Sequence, residues 1–466
     1  MGNLSSVHSI VHLMLENRSF DNILGFLYTD DKNLSPSGDR FDGLKGDETN
    51  PDVHGNAIKI VREKSRTRLP RPNAHERYEQ VIVQIENANQ GFVKNYATVK
   101  NSTPSEIMTC FDPSLIPNLA EICHRYAVCD AWFSSLPSET WPNRAFALCG
   151  TASGMENNIY NPFVWNATTI FERLDEKQLT WRVYYDESLT ALTRLQFGEL
   201  LSPKYGKNFA EFDAFLHDAN AGALPSYAFI EPNFFHNPFS SRPQSDMHPP
   251  SDVASGDAFI ARVFNAVITS PQWKANEVLL VITWDEHGGM YDHVPPPSGA
   301  VPPDAIPSKV GFKWDRFGVR VPTVVVSPFV KKGSVFRAPD GKTPYDHTSV
   351  LATIERRFGI APLTKRDAAA PDLDAILTEP ARTDSATLPA QPHAFLATML
   401  SDLRALAGEE ANPLQCGMVE AMKNILEAQK HQGIAPELAP SAIGHDVHTV
   451  RDAHEFFRKA KLATGL

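Results

Sequence analysis

The chain has 466 residues, of which 42% are hydrophobic and 21% charged, and its formal net charge is −11. This is the composition of a globular protein, and an acidic chain without a Lys/Arg-rich run lacks the basic footprint that nucleic-acid phosphates require. No stretch of about twenty apolar residues occurs, so no transmembrane helix is expected. The N-terminal residues carry no basic leader and run straight into a charged motif, which argues against a signal peptide. The expected location is cytoplasmic by default, or periplasmic or secreted if another export route operates. The five cysteines, Cys110, Cys123, Cys129, Cys149 and Cys416, form no CxxC pair and are odd in number. Reduced, partly buried thiols are expected rather than a disulfide framework.

Residues 7–15 read as the first strand, which delivers Glu16 and Asn17 at its carboxyl end. Ser19 is placed as the N-cap of a short helix carrying Phe20, Ile23 and Leu24. Residues 29–73 are polar and rich in Gly, Pro, Asp and Asn, an excursion over the surface. His75 opens a helix to residue 97, with Val81, Ile85 and Phe92 at helical spacing. A helix over 116–126 and a short strand over 128–133 lead into a Pro-punctuated loop, 134–144. A helix then starts at 145 and closes at Gly150. Further elements are a helix over 171–178, strands over 180–185 and 225–230 (ending in Glu231) and an amphipathic helix over 257–268. A strand over 319–327 follows, and His347 stands before a helix over 348–358.

The stretch 278–297, VLLVITWDEHGGMYDHVPPP, organises the rest. Its first half is an apolar, β-branched run, the pattern of a strand buried on both faces. Asp285, Glu286 and His287 follow, then Gly288 and Gly289. Adjacent carboxylates converge on one cation only where the strand ends, and the glycine pair supplies the irregular backbone. Strands alternating with helices predict an α/β fold with three α/β/α layers. From about residue 390 the pattern turns to helices only, over 394–407, 418–429 and 450–462. The expected division is a catalytic domain, 1–390, and a helical C-terminal extension, 391–466, that packs on the core or mediates assembly.

Carboxylates, a carboxamide and a hydroxyl are hard ligands for Mg, Ca or Mn, whereas the histidines at 75, 248, 287, 293 and 347 suit Zn or acid/base work. Thr140 has two readings: a helix cap, or a nucleophile whose hydroxyl is acidified by a metal. Glu16-Asn17-Arg18-Ser19-Phe20-Asp21 matches the ENRSFD signature of the bacterial phosphoesterase family of non-haemolytic phospholipase C and acid phosphatase A. The resemblance continues through Thr140-Trp141-Pro142-Asn143-Arg144, His248-Pro249-Pro250, residues 285–296 and Asp346-His347-Thr348-Ser349. These motifs come in the family's order, from residue 7 to about 360.

The resemblance implies an alkaline-phosphatase-like α/β/α fold and hydrolysis of phosphoric esters. It implies a divalent metal (Ca, Mg, Mn or Zn) held by Glu16, Asn17, Thr140, Asp285 and Glu286, with Thr140 also the nucleophile. His75 and His248 are expected at the phosphate, His347 and Asn143 at the substrate, and His287 and His293 in supporting roles. The expected activity is that of a phospholipase C-type phosphodiesterase acting on a phospholipid or small phosphoester through a phosphothreonine. The alternatives are a broad acid phosphatase and a catalytically idle binding protein on the same fold. In one respect the chain departs from the family, which usually has Gly-Pro before the nucleophile where this sequence has Ser138-Glu139.

Overall fold

Two seven-residue strands, each buried throughout, form the centre of the computed structural model. The structure describes residues 2–186, 190–235, 243–383, 386–390, 411–431 and 448–464. In chain order the main sheet contains Ser9–Leu15 (β1), Ala127–Cys129 (β2), Trp181–Tyr185 (β3), Phe209–Glu211 (β4), Tyr227–Glu231 (β5), Val278–Trp284 (β6), Thr323–Val326 (β7) and Ser334–Phe336 (β8). Across the sheet they run β8-β2-β7-β6-β1-β5-β3-β4. β1 lies parallel to β6, with Ser9 opposite Val278 and Leu15 opposite Trp284. Only β7 runs antiparallel to its neighbours. The apolar runs of β1 and β6 need cover on both faces, which is why they read as continuous rather than alternating. His12 interrupts β1 at no cost in unsatisfied groups: its ring lies 3.2 Å from Tyr227 OH and 2.9 Å from Thr283 Oγ1.

The helices that matter for the site are Phe20–Leu24 (α1), Pro117–Arg125 (α2), Thr140–Cys149 (α3), Ile170–Glu176 (α4), Phe212–Ala221 (α5), Val253–Thr269 (α6) and Thr348–Phe358 (α7). α6 packs on α2, α5 and β6, and α3 packs on α4 and α7. The result is the three-layer α/β/α arrangement. Ser19 caps α1 as expected, accepting from Asn22 N. Two helices, Pro413–His431 (α8) and Val450–Thr464 (α9), pack on each other. Their apolar faces, including Met418, Met422, Phe456 and Phe457, join the main hydrophobic core. Gln415 Nε2 donates to Phe234 O at 2.8 Å and Asn424 Nδ2 to Tyr160 O at 2.7 Å, so the described part of the C-terminal region packs on the core. The helix expected over 394–407 lies outside the described residues.

Several local expectations change. The helix expected from His75 starts at Tyr78 and breaks into Tyr78–Gln84, Glu86–Asn89 and Phe92–Tyr96. Asn87, Ala88 and Asn89 have φ of 50°, 59° and 67°, and Asn89 Nδ2 donates to Asp292 O and Val294 O at 2.7 and 3.0 Å. Those long-range bonds, which no local periodicity encodes, pull the chain out of the helix. The helix expected from 145 begins five residues earlier, at Thr140. All five cysteines are free, and Cys416 alone of them is exposed. No helix among the described residues is long and apolar enough to cross a membrane.

β6 ends at Trp284, and the glycine pair turns the chain just beyond Glu286. Gly288 and Gly289 have φ of 64° and 70°, and a Cβ on Gly288 would stand 2.2 Å from Asn17 O. Gly288→Ala should therefore lose at least about 1–2 kcal/mol from the left-handed backbone alone. It should lose more from displacing Asn17; urea unfolding of the two proteins measures the difference.

Candidate active site

Glu16 and Asn17 follow β1, and Asp285 and Glu286 follow β6. Because Leu15 and Trp284 are register partners in parallel strands, all four side chains leave one edge of the sheet. This carboxyl edge is where open α/β sheets bind ligands. Asn17 has φ of 50°, and its N–H donates to Asp285 Oδ1 at 3.0 Å. Asp285 Oδ1 also accepts from Glu286 N at 2.7 Å, and Glu286 Oε2 accepts from Gly288 N at 2.7 Å. The two strand ends are thus tied to each other through the side chains they present.

Thr140 is the first residue of α3, with Glu139 at the N-cap, so the cap reading of Thr140 is set aside. Its hydroxyl instead donates across the sheet edge, 3.2 Å from Glu16 Oε2 and 3.3 Å from Asn17 Oδ1. Ser138 is not placed to compete, since its hydroxyl bonds to Glu156 O and Asn157 Oδ1. Glu139 reaches across to the following loop, where its Oε2 accepts from Asn158 N at 2.8 Å. Asn143, expected at the substrate, uses its amide on the preceding loop. Its Nδ2 donates to Ser138 O and Glu139 O at 2.9 and 3.1 Å, while Oδ1 accepts from Leu136 N at 3.2 Å. It shapes the turn that presents Thr140.

Arg144, one turn beyond Thr140, was quoted within a motif but given no role by the sequence reading. Its Nε donates to Glu16 Oε1 at 2.9 Å, with Nη2 bonded to the same oxygen. Asp285 Oδ2 and Glu231 Oε1 each lie 3.6 Å from the guanidinium. Residues i and i+4 share a helix face, which is the local signal that pairs Arg144 with Thr140. Glu76 is the other residue missed. It is buried beside Asn73 Nδ2 (3.2 Å) and His248 Nε2 (3.8 Å). Burial raises its carboxyl to about 8, with Glu139 and Asp285 adding repulsion against the Asn17 and Asn73 amides. Burial likewise raises Glu16, against Arg144, and raises Glu286 together with the charges of Glu76 and Asp285.

The histidines divide by what their ring nitrogens meet. His75, expected at the phosphate, turns its Nε2 to Thr98 Oγ1 at 3.1 Å. Its neighbour Glu76 is the one that joins the cluster. His347, also expected at the substrate, is buried with Nε2 2.6 Å from Asp285 O and Nδ1 3.5 Å from Trp132 Nε1. Both nitrogens are engaged, so it buttresses the Asp285 backbone. His248 keeps a free function: Nε2 accepts from Asn73 Nδ2 at 3.0 Å, which leaves the hydrogen on Nδ1, a buried atom without a partner. Burial, and then Arg18, lower its pKa to about 3, so it is a neutral donor. His287 supports Glu286, with Nδ1 3.2 Å from Glu286 Oε2 and Nε2 2.8 Å from Gln84 Oε1. Gln84 is itself fixed by His75 O and Asn95 Oδ1.

The expected metal ligands Glu16, Asn17, Thr140, Asp285 and Glu286 are brought together, and the donor set fits a hard divalent cation. Asp285 Oδ2 and Glu286 Oε1 are buried without hydrogen-bond partners, and Glu16, Glu231 and Asp285 share the single guanidinium of Arg144. Uncompensated buried charge of this kind is costly unless a cation neutralises it. Another acidic group, Asp21, Asp292 and His293, gathers its ligand atoms within 4.8 Å, closer than the main carboxylates stand. Arg320 already fills that role there, donating to Asp21 Oδ1 at 3.0 Å and Asp292 Oδ1 at 2.9 Å. We read this group as an ion network that fixes residues 291–293 to α1.

A poised hydroxyl among hard-oxygen ligands suits attack on phosphorus, where catalysis rests on positioning and on neutralising the equatorial oxygens. The class this defines is the phosphoric ester hydrolases. The chain belongs to the Phosphoesterase family, whose model matches residues 7–361. It is similar to Non-specific phospholipase C3 of Arabidopsis thaliana, at 36% identity over 84% of this chain and 77% of that one. Non-specific phospholipase C6 of the same plant is 33% identical over 98% of this chain and 86% of that one. A solved structure of a protein in the alkaline phosphatase superfamily from Vibrio parahaemolyticus aligns at a TM-score of 0.34 and 11% identity, covering 70% of this chain and 71% of that one.

Two measurements test these charge networks. Arg144→Met should cost about 3–5 kcal/mol by leaving Glu16 and Asp285 unpaired. Adding Glu16→Gln should recover part of that loss in urea unfolding. In the second network, burial alone would lower the His293 pKa, but Asp21 at 2.7 Å and Asp42 hold it up to about 10. A folded-state pKa above the unfolded value means the native protein binds the extra proton. The stabilisation is therefore complete below about 6.5 and is lost as pH rises through 10. The Tm gap between the wild type and His293→Gln should shrink across that window.

Proposed function

We propose that the protein is a metal-dependent phosphodiesterase of phospholipase C type, acting on a phospholipid or a related small phosphodiester through a covalent phosphothreonine at Thr140. The observation that carries this reading is the Thr140 hydroxyl, 3.2 Å from Glu16 Oε2 and 3.3 Å from Asn17 Oδ1 within a carboxylate-rich, buried cluster. The names of the plant relatives support the choice of phospholipid.

A divalent cation bound by Glu16, Asn17, Asp285, Glu286 and Thr140 would acidify the hydroxyl and neutralise the phosphoryl oxygens. Thr140 Oγ1 attacks phosphorus in line, the bond from phosphorus to the departing alkoxide breaks, and the alkoxide takes up one proton, balancing the one Thr140 gives up. Glu16 Oε2 stands where the threonine proton leaves. Arg144 holds that carboxylate in place, and the N-terminal end of α3 faces the negative charge that develops. His248 Nδ1–H offers a neutral hydrogen bond to a phosphoryl or alkoxide oxygen. Water then attacks phosphorus, the phosphorus–Oγ1 bond breaks, and the head-group phosphate departs.

The test is a substrate panel of p-nitrophenyl phosphate, its bis ester and p-nitrophenylphosphorylcholine, with and without a chelator. Thr140→Ala should lower turnover at least about a thousandfold, and brief acid quenching of the wild type should trap a phosphorylated peptide containing residue 140. Activity on the monoester alone would identify an acid phosphatase instead. Full activity after rigorous chelation would remove the metal from the reading.

A further inference from the structure

We infer that Glu139 and Asn158 form one clamp that sets the position of the Thr140 hydroxyl, which makes both of them positioning residues for the reaction. The inference rests on Thr140 being the nucleophile. Asn158 N donates to Glu139 Oε2 at 2.8 Å, and Asn158 Oδ1 accepts from Trp141 N at 2.8 Å. A single residue therefore holds both chain neighbours of Thr140.

The helix terminus explains why such a device is needed. The first amides of a helix have no intrahelical partner, and an N-cap side chain ordinarily takes one of them. Glu139 occupies the N-cap without making that bond. Its carboxylate reaches across to residue 158 instead, and the orphan amide of Trp141 is taken by the side chain of the same residue. The exchange cross-links the helix start to a loop that is itself anchored. Asn158 Nδ2 lies 3.3 Å from Tyr160 OH, and the Tyr160 ring stands edge-on to Trp141 with centroids 5.3 Å apart.

The departure from the Gly-Pro pair then has a physical meaning. Glu139 has φ of −71°, inside the range a proline ring imposes. The backbone at this position keeps the proline conformation without the ring, and the clamp supplies the missing rigidity. Side-chain carboxylate and backbone geometry serve the same end, which is to hold the hydroxyl on line with Glu16 and Asn17. A nucleophile displaced by about 1 Å loses on the order of a hundredfold in rate.

The experiment compares Glu139→Ala, Glu139→Gln, Glu139→Pro and Asn158→Ala by the pre-steady-state burst of p-nitrophenol from p-nitrophenylphosphorylcholine, with KM and Tm measured alongside. Glu139→Ala and Asn158→Ala should slow the burst about ten- to a hundredfold with KM within about threefold. Glu139→Gln keeps an acceptor for Asn158 N, and Glu139→Pro fixes the same φ, so both should stay within about threefold of wild type. The double Ala variant should be no slower than the slower single, because one clamp can be broken only once. A wild-type burst in Glu139→Ala overturns the inference, as does a loss in Glu139→Gln or Glu139→Pro equal to that in Glu139→Ala. Additive losses in the double variant also overturn it. If Asn158→Ala does not fold, the Glu139 series decides alone. Thr140→Ala in the same assay separates the two levels. A burst surviving there removes the nucleophile itself, whereas a silent Thr140→Ala beside an unaffected Glu139→Ala removes only the clamp.

Discussion

A buried guanidinium holds the carboxylate-rich edge of the sheet together. Arg144 meets Glu16 from the end of β1, Asp285 from the end of β6 and Glu231 from the end of β5, all beneath the surface. Carboxylates crowded at such an edge repel one another strongly once water is excluded, so three adjacent strand ends would splay without a cation between them. A planar fork with several donors suits the task better than an ammonium, because it can address different acids along different edges. The same residue sits one helical turn from Thr140. The charge that assembles the strand ends therefore also anchors the helix that brings the hydroxyl to them.

Around this centre, polar side chains are used chiefly as struts. His347 supports the Asp285 backbone, His287 and Gln84 support Glu286, and Asn143 folds the loop before Thr140. Arg320 does for residues 291–293 and α1 what Arg144 does for the strand ends. Burial explains the pattern. A polar group without water must find a partner, and each partner it finds restrains the segment that carries it. Among the buried atoms without a hydrogen-bond partner, three stand at the site: Asp285 Oδ2, Glu286 Oε1 and His248 Nδ1, beside Asn17 Nδ2 and Arg144 Nη1. They are acceptors and a donor of the kinds that a cation and a phosphoryl oxygen would satisfy.

Much of this was legible in the chain. Strand ends followed at once by Glu16-Asn17 and Asp285-Glu286, a glycine pair in the turn that follows, and motifs in family order are all local features. Local features survive any packing, because the backbone that carries them is set by its own neighbours. The helix from His75 failed for the opposite reason. Its periodicity was sound, but bonds from Asn89 to residues more than two hundred positions away outweighed it. The roles of the histidines are not legible in the same way, since chemistry at a ring depends on which atoms face its two nitrogens.

By itself, then, the sequence determined the α/β class, the family and the hard-oxygen side chains that follow the two central strands. Each of these rests on residue identity and short spacing. Only the tertiary structure decided that Arg144 is the counter-charge, that Glu76 joins the cluster while His75 turns to Thr98, and that Glu139 meets Asn158. The Arg144–Glu16 contact spans 128 residues, and its direction is set by how α3 lies against the sheet. Side-chain orientation across such distances follows from packing and from the requirement that buried charge be paired, and neither quantity is written in any single stretch of the chain.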